Sequence, residues 1–396
     1  MSTQTTAGKA APAPGEEGMM KRYGLLLAAI VLAIIVALPP AKGLPVAGQN
    51  MLGILVFSVI IWMTEAVSYP VSAVLITTLT AFLLGFSPEL ADPAKVMGTS
   101  KGLSIALNGF SNTAWALVGG ALFLAAAMTH TGLDKRIALV VLSKVGAKTN
   151  RVLIGVIVVG FLLSFVVPST TARVSCMVPI VMGIIVAFGV PLKSRFAAVL
   201  MIAEAQADSL WNIGIKTAAA HKTIAVSFIE KQLGVNISWL DWFIAAAPFS
   251  AIMSVILYFV LIKMMPPETK EIAGGQAIVA KALAELGPMK GNEKKLTFIS
   301  LTLLFFWATE KILHPFDTST TTIAAIALMF LPRIGVMNWK QAQGAIPWGT
   351  LVLFGIGISL GSALLSTKAA PWLATCISGA FGLQTASAMV ILATLA

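Results

Sequence analysis

Of 396 residues, 58% are hydrophobic and 11% charged, with 27 Lys and Arg against 16 Asp and Glu, and the mean hydropathy is +0.91. That balance excludes an ordinary soluble domain, and apolar segments recurring from Gly24 almost to the end define an all-α polytopic membrane protein. The alternating ten-residue pattern of a transmembrane β-barrel is missing. The formal charge of +11 falls between apolar segments rather than along one face, so the bilayer is the partner and nucleic acid is not.

In chain order, residues 1–23 open with an Ala-, Pro- and Thr-rich stretch and read as a disordered cytoplasmic tail with no cleavable signal. Spans are predicted at 24–40, 51–67, 70–86 and 114–130. Residues 131–151 read as a basic amphipathic helix lying on the inner surface. A pair of half-length helices follows at 152–168 and 172–190, then an interrupted span at 196–229 and a span at 242–265. A polar linker at 266–295 separates the first half, 24–265, from the second, 296–396. Spans at 296–313, 320–336 and 348–367 complete the second half, with a last apolar segment from about 384.

Placing the N-terminus in the cytoplasm puts 18 Lys and Arg inside and 6 outside, with Arg173, Lys216 and Lys222 left near membrane depth. This asymmetry predicts a multi-pass protein of the inner membrane in that orientation. Cys176 and Cys376 sit in apolar segments as packing residues, without a disulfide or metal framework.

An internal repeat is visible. Trp62-Met63-Thr64-Glu65 recurs as Trp307-Ala308-Thr309-Glu310, and Pro70 matches Pro315, all at an offset of 245. Gly119, Leu124, Ala127 and Thr131 match Gly355, Leu360, Ala363 and Thr367 at an offset of 236. In the predicted topology the two copies run in opposite directions, so the repeat is inverted, and such repeats place a transported substrate at their interface near the midplane. Adding 236 to Ser169 puts a second polar break near position 405, past Ala396. The second repeat therefore reads as truncated before its hairpin tip.

The feature richest in chemistry is Pro168-Ser169-Thr170-Thr171-Ala172-Arg173, set between two uncharged stretches. A guanidinium and three hydroxyls at membrane depth are costly unless they meet protein, water or ligand. A broken helix there must line a cavity, which predicts re-entrant hairpins. A tight extracellular turn between two ordinary spans is the alternative. A second break is predicted across Ser209–Thr217, where Gly214 suits unwound backbone and Glu204, Gln206 and Asp208 make the segment unusually polar.

These residues resemble the divalent anion/sodium symporter family of di- and tricarboxylate carriers. The resemblance spans roughly residues 50–396. It rests on Thr64-Glu65-Ala66 with Pro70, on Gly119-Gly120 with Ala127-Met128, on Thr131 to Ala138, and on the tip itself. Members carry Ser-Asn-Thr at the tip; here Ser169 and Thr171 match and Thr170 replaces the Asn. The following Ala172-Arg173 is similar to the exchanger branch, which includes citrate/succinate, tartrate/succinate and 2-oxoglutarate/malate carriers.

The resemblance implies a carrier of small carboxylate anions, dimeric, with no cofactor beyond a possible coupling Na+. Ser169, Thr170, Thr171, Arg173, Asn212, Gly214 and Thr217 are the substrate-site candidates. Hydroxyls and free N–H groups at a helix start suit a carboxylate, and Arg173 suits it in bidentate fashion. Three roles stay open for Arg173: substrate ligand, built-in replacement for a sodium ion, or partner of Glu204 or Asp208. Lys216 is a second fixed cation or a residue snorkelling to the interface.

Glu65 and Glu310 read as structural caps or pairs, with proton coupling as the alternative. His130, His221 and His314 show no ligand spacing, and Gly357 with Gly361 fits helix packing. No His-Glu-x-x-His and no serine with a positioned base is present, which argues against an enzyme. A channel is disfavoured by the lack of a filter-like ring. Sodium-independent exchange is the leading expectation, and a sodium- or proton-coupled symporter of a dicarboxylate or inorganic divalent anion the alternative.

Overall fold

The computed structural model describes residues 17–146, 148–187, 191, 193–268 and 275–382. In chain order its helices are α1 (Glu17–Ala37), α2 (Val46–Met63), α3 (Tyr69–Gly85), α4 (Thr99–Leu107), α5 (Thr113–Thr131) and α6 (Leu133–Val145). Next come α7 (Thr149–Val166), α8 (Thr170–Ala187), α9 (Arg195–Gly214), α10 (Ala220–Leu233), α11 (Trp239–Met264) and α12 (Gly275–Glu285). The last are α13 (Gly291–Ala308), α14 (Thr318–Phe330), α15 (Trp339–Ala345), α16 (Trp348–Ser366) and α17 (Ala369–Ala380). The α2, α5, α7, α11 and α16 helices are long and apolar enough to cross a bilayer. The protein is an all-α polytopic membrane protein, as its composition requires.

Local chemistry sets the helix ends. Ser194 opens α9 by accepting the Ala197 amide, Ser238 and Asp241 form a capping box on α11, and Asp317 opens α14 through the amides of Ser319 and Thr320.

Two compact units form, one from residues up to Asn112 together with those from Trp348 onward, the other from Thr113 to Pro347. In the first, Met51, Ile54, Ile61, Ile76 and Leu84 pack with Ile356, Leu360 and Ala363. Gly109 closes tightly on α16: its amide donates to Ser359 Oγ at 2.8 Å, and a Cβ there would lie 2.1 Å from the Gly355 carbonyl. In the second, α9 is the central element, packed by α7, α8 and α11 around Val156, Val159, Leu163, Leu200, Ala203 and Ala207. Gly160 on α7 lets α9 approach, since a Cβ there would meet Ala207 Cβ at 3.3 Å.

Both sequence repeats have matching local structure. The α2 and α13 helices end one residue before Thr64 and Thr309, whose hydroxyls bond back to Ile60 O and Phe305 O at 2.7 Å each. Trp62 donates its indole N–H to Ser72 Oγ, and Trp307 donates to Thr322 Oγ1. Likewise Thr131 bonds back to Ala127 O and Thr367 to Ala363 O. Left-handed residues follow, Gly132 and Lys368, and then α6 and α17 start at the same offset. The copies are dealt alternately to the units: Trp62 and α16 lie in one, Trp307 and α5 in the other.

Several expectations need correction. Helix α1 starts at Glu17, so the tail does not extend to 23; residues 1–16, and the apolar segment from 384, lie outside the described residues. The helices flanking the tip are not half-length: α7 and α8 have 18 residues each, about 27 Å at 1.5 Å per residue. The linker at 266–295 contains α12 and the start of α13, because Val279, Ala282, Leu283 and Leu286 form an apolar stripe that packs on the core. Helix α6 buries Leu133, Asp134, Arg136, Leu139 and Leu142 against protein rather than lying free on a surface. The cause is Arg136, whose Nη2 pairs with Glu293 Oε2 at 3.1 Å. Its Nη1 donates to Gly287 O at 2.9 Å, tying α6 to the turn after α12.

Candidate functional site

Between α7 and α8 the backbone leaves helix at Val167, Pro168 and Ser169. Pro168 lacks the N–H a continuous helix would need there, so the chain restarts at Thr170. Ser169 Oγ accepts the Ala172 amide at 3.4 Å and its carbonyl accepts the Arg173 amide at 3.1 Å. Ser169 and Thr170 are half-buried and Thr171 is exposed.

A second break lies between α9 and α10, at Ile215 to Ala219. It starts later than expected. Gly214 is the last helical residue, and its smallness serves packing: a Cβ there would stand 2.8 Å from Ser250 Oγ on α11.

Arg173 joins the two breaks. Its side chain is fully buried. Its Nε donates to Asp208 Oδ1 at 2.9 Å, Nη1 to Val167 O at 2.7 Å and to Ala218 O at 3.2 Å, and Nη2 to Asn212 Oδ1 at 2.6 Å. Asn212 in turn donates Nδ2 to Thr170 Oγ1 at 2.9 Å. The guanidinium thus sits in a shell of four oxygens drawn from the tip, α9 and the unwound segment. Of the three roles open in the sequence, the pairing with Asp208 is the one seen here.

Ser169, Thr170, Arg173 and Asn212 therefore come together, whereas Lys216 and Thr217 face elsewhere. Thr217 Oγ1 accepts the indole N–H of Trp239 at 3.1 Å. Lys216 donates to the Ile237 carbonyl, lies 4.0 Å from Glu230, and lines a polar cavity of about 230 Å³ with Glu230, Glu310 and Asp317. Glu310 is buried and structural, accepting the Trp239 amide and the Thr318 hydroxyl. Its repeat counterpart Glu65 is exposed and pairs with Lys21 at 3.2 Å.

One residue stands near membrane depth in the sequence without a role, and another escaped the sequence reading. Lys222 is buried and donates to Ile215 O at the start of the second break; its position just past a broken span was the available signal. Glu268, after α11, caps α9 by accepting the Arg195 and Phe196 amides at 2.6 and 3.1 Å. Those amides hold its carboxyl below the usual range.

An apolar bundle whose fixed charges converge on two helix breaks defines a polytopic membrane transporter rather than an enzyme. Residues 20–396 match the model of the sodium:sulfate symporter transmembrane region. A "membrane protein" of Cupriavidus necator is 53% identical over 94% of this chain and 73% of its own length. The inner membrane protein YbhI of Escherichia coli is 31% identical over 89% and 72%. The sodium-dependent dicarboxylate transporter SdcS of Staphylococcus saprophyticus is 28% identical over 88% and 69%. The chain belongs to the sodium:sulfate symporter transmembrane-region family of membrane transporters.

Proposed function

We propose that this protein is a secondary carrier of small di- and tricarboxylate anions that exchanges one anion for another without sodium. The observation that carries this reading is the oxygen shell around Arg173. Two backbone carbonyls, an amide oxygen and a carboxylate are the ligands a hard cation such as sodium takes; here they are filled by a covalently attached cation. The anion is received by the hydroxyls of Ser169, Thr170 and Thr171 and the free amides that open α8. Asn212 orients Thr170, Gly214 sets the approach of α11, Thr217 anchors the Trp239 indole, and Lys216 and Lys222 are the buried basic side chains at the second break.

Support for the substrate class comes from the printed name of the S. saprophyticus relative. An inner-membrane location is supported by that of YbhI. The N-terminus on the cytoplasmic side and a dimeric assembly complete the reading, on the charge asymmetry and the family resemblance. Sodium-coupled symport is the competing reading, favoured by the word "sodium-dependent" in the same relative's name.

Uptake of labelled succinate or citrate into proteoliposomes, empty or preloaded with unlabelled dicarboxylate, with and without sodium, separates the two. Exchange requires internal anion and ignores sodium. Uptake into empty vesicles driven by a sodium gradient overturns the proposal. Arg173→Thr is expected to abolish exchange and to create a protein whose Tm rises with added sodium.

A further inference from the structure

Helix α9 carries Glu204, Asp208 and Trp211 at spacings of four and three, hence on one face. That face is turned into the protein: Glu204 is 4% exposed and Asp208 1%. Glu204 Oε1, Asp208 Oδ2 and Trp211 Nε1 are all buried without a hydrogen-bond partner among the described residues. The charges around Glu204 can be enumerated. Its electrostatic neighbours are Asp208 on its own helix and Arg173 on α8. Cys176, also on α8, feels its field. Of the other helices packed on α9, α7 has no titratable side chain after Arg151 in its first turn. Helix α11 has Asp241 in its first turn, Tyr258, and Lys263 in its last. Lys222 neighbours Arg173 and neither carboxylate.

Two carboxylates thus share one guanidinium, and that guanidinium is committed to Asp208. An ionised, unpaired Glu204 would leave a net negative charge inside the bundle, at a cost no other group among the described residues offsets. A proton closes the account with the fewest parts. We propose that Glu204 is a proton-binding site of this carrier, occupied while Arg173 is paired with Asp208, and that separation of the two breaks draws a second proton onto the cluster. Arg173 is held by the tip (Val167 O) and by the unwound segment (Ala218 O). Any movement that parts them pulls the guanidinium off Asp208, which must then take up a proton or stay as an unpaired buried charge. Proton transfer thereby becomes linked to the carrier cycle. The inference uses the carrier reading only to give the proton a role; the site itself is testable without substrate.

The experiment is infrared difference spectroscopy of the purified protein in lipid, titrated from about pH 5 to about pH 9 without any anion substrate. The expected result is a protonated-carboxyl C=O band at neutral pH that disappears on alkalinisation and is absent from Glu204→Gln. Should that variant not fold, Asp208→Asn is the second reading: it frees Arg173 for Glu204, which then ionises, so the band is again lost. A band that persists in Glu204→Gln places the proton on another buried carboxyl, such as Asp134, Glu293 or Glu310, and overturns the proposal. So does a band that sodium chloride removes at fixed pH while choline chloride does not, since the ligand would then be sodium. Loss of the band in both variants together with no dicarboxylate exchange would retain the proton site and reject the substrate.

Discussion

Replacing Arg173 by Met removes the only cation among the described residues beside a buried carboxylate pair and strips donors from Val167 O, Ala218 O and Asn212 Oδ1. Asp208 cannot stay ionised there at low cost. Its escape is to take up a proton, and for a carboxylate of ordinary pKa near 3.9 that costs about 4 kcal/mol at pH 7. Each carbonyl left without a donor adds about 1 kcal/mol. The sum over the three oxygens, about 7 kcal/mol, is an upper figure beside the roughly 3–5 kcal/mol typical of breaking a buried pair. A loss of about 3–7 kcal/mol corresponds to a Tm lowered by roughly 6–28 °C for a unit of this size. The origin of the loss gives it a signature. Because the penalty is the cost of protonating Asp208, it shrinks by about 1.4 kcal/mol per pH unit on acidification, so the deficit at pH 5 is well below that at pH 7. The double variant Arg173→Met with Asp208→Asn needs no proton and is expected to be more stable than the single one, with a coupling of about 2–3 kcal/mol. Thermal unfolding followed by circular dichroism in lipid nanodiscs measures all three. A deficit independent of pH, or a double variant as poor as the sum of its parts, would refute the charge argument and leave only packing.

Other outcomes follow from the same geometry. Gly109→Ala forces a methyl to 2.1 Å from Gly355 O and 2.5 Å from Ser359 N; backbone must shift, and a loss of about 3 kcal/mol or failure to fold is expected by thermal melt. Trp307→Phe keeps most of the buried ring but ends the indole bond to Thr322, lowering stability by about 1 kcal/mol, whereas Trp62→Phe, at a half-buried position, costs less. Glu268 has its carboxyl held below the usual 4.5 by the amides of Arg195 and Phe196. Its contribution is full above that value and is lost as pH falls through the lower folded value. Glu268→Gln therefore lowers the Tm near neutrality and narrows its gap to wild type in acid; a gap that widens in acid contradicts the cap.

What the sequence disclosed, and what it hid, divides by mechanism. The tip at 168–173 was legible because polar groups between apolar runs have no cheap alternative to a break. The two Trp-x-Thr-Glu copies were legible because identical spacing carries an identical local lock: a threonine bonding back into its helix and an indole reaching the next one. Helix α12 was hidden under its Lys and Glu content, although Val279, Ala282, Leu283 and Leu286 carried the helical period throughout. Gly214 was misread because a glycine that makes room for Ser250 looks, in sequence, the same as one that unwinds a helix. The commitment of Arg173 to Asp208 over Glu204 was not legible at all. Both lie on one face of α9, and which of them the guanidinium reaches depends on how α8 packs against that face, which residue spacing does not encode.

The alternate dealing of repeat copies between the two compact units has a topological consequence. The chain passes from one unit to the other only at Asn112–Thr113 and Pro347–Trp348. A cut between α11 and α12 separates the repeats yet leaves neither fragment with a whole unit. The N-terminal piece would lack α16 beneath Gly109, and the C-terminal piece would lack α6 and its Arg136 grip on the turn after α12. Each fragment would then present an unfilled groove shaped for the other. The two halves of this chain are built to recognise each other as partners would, and their association is part of folding itself.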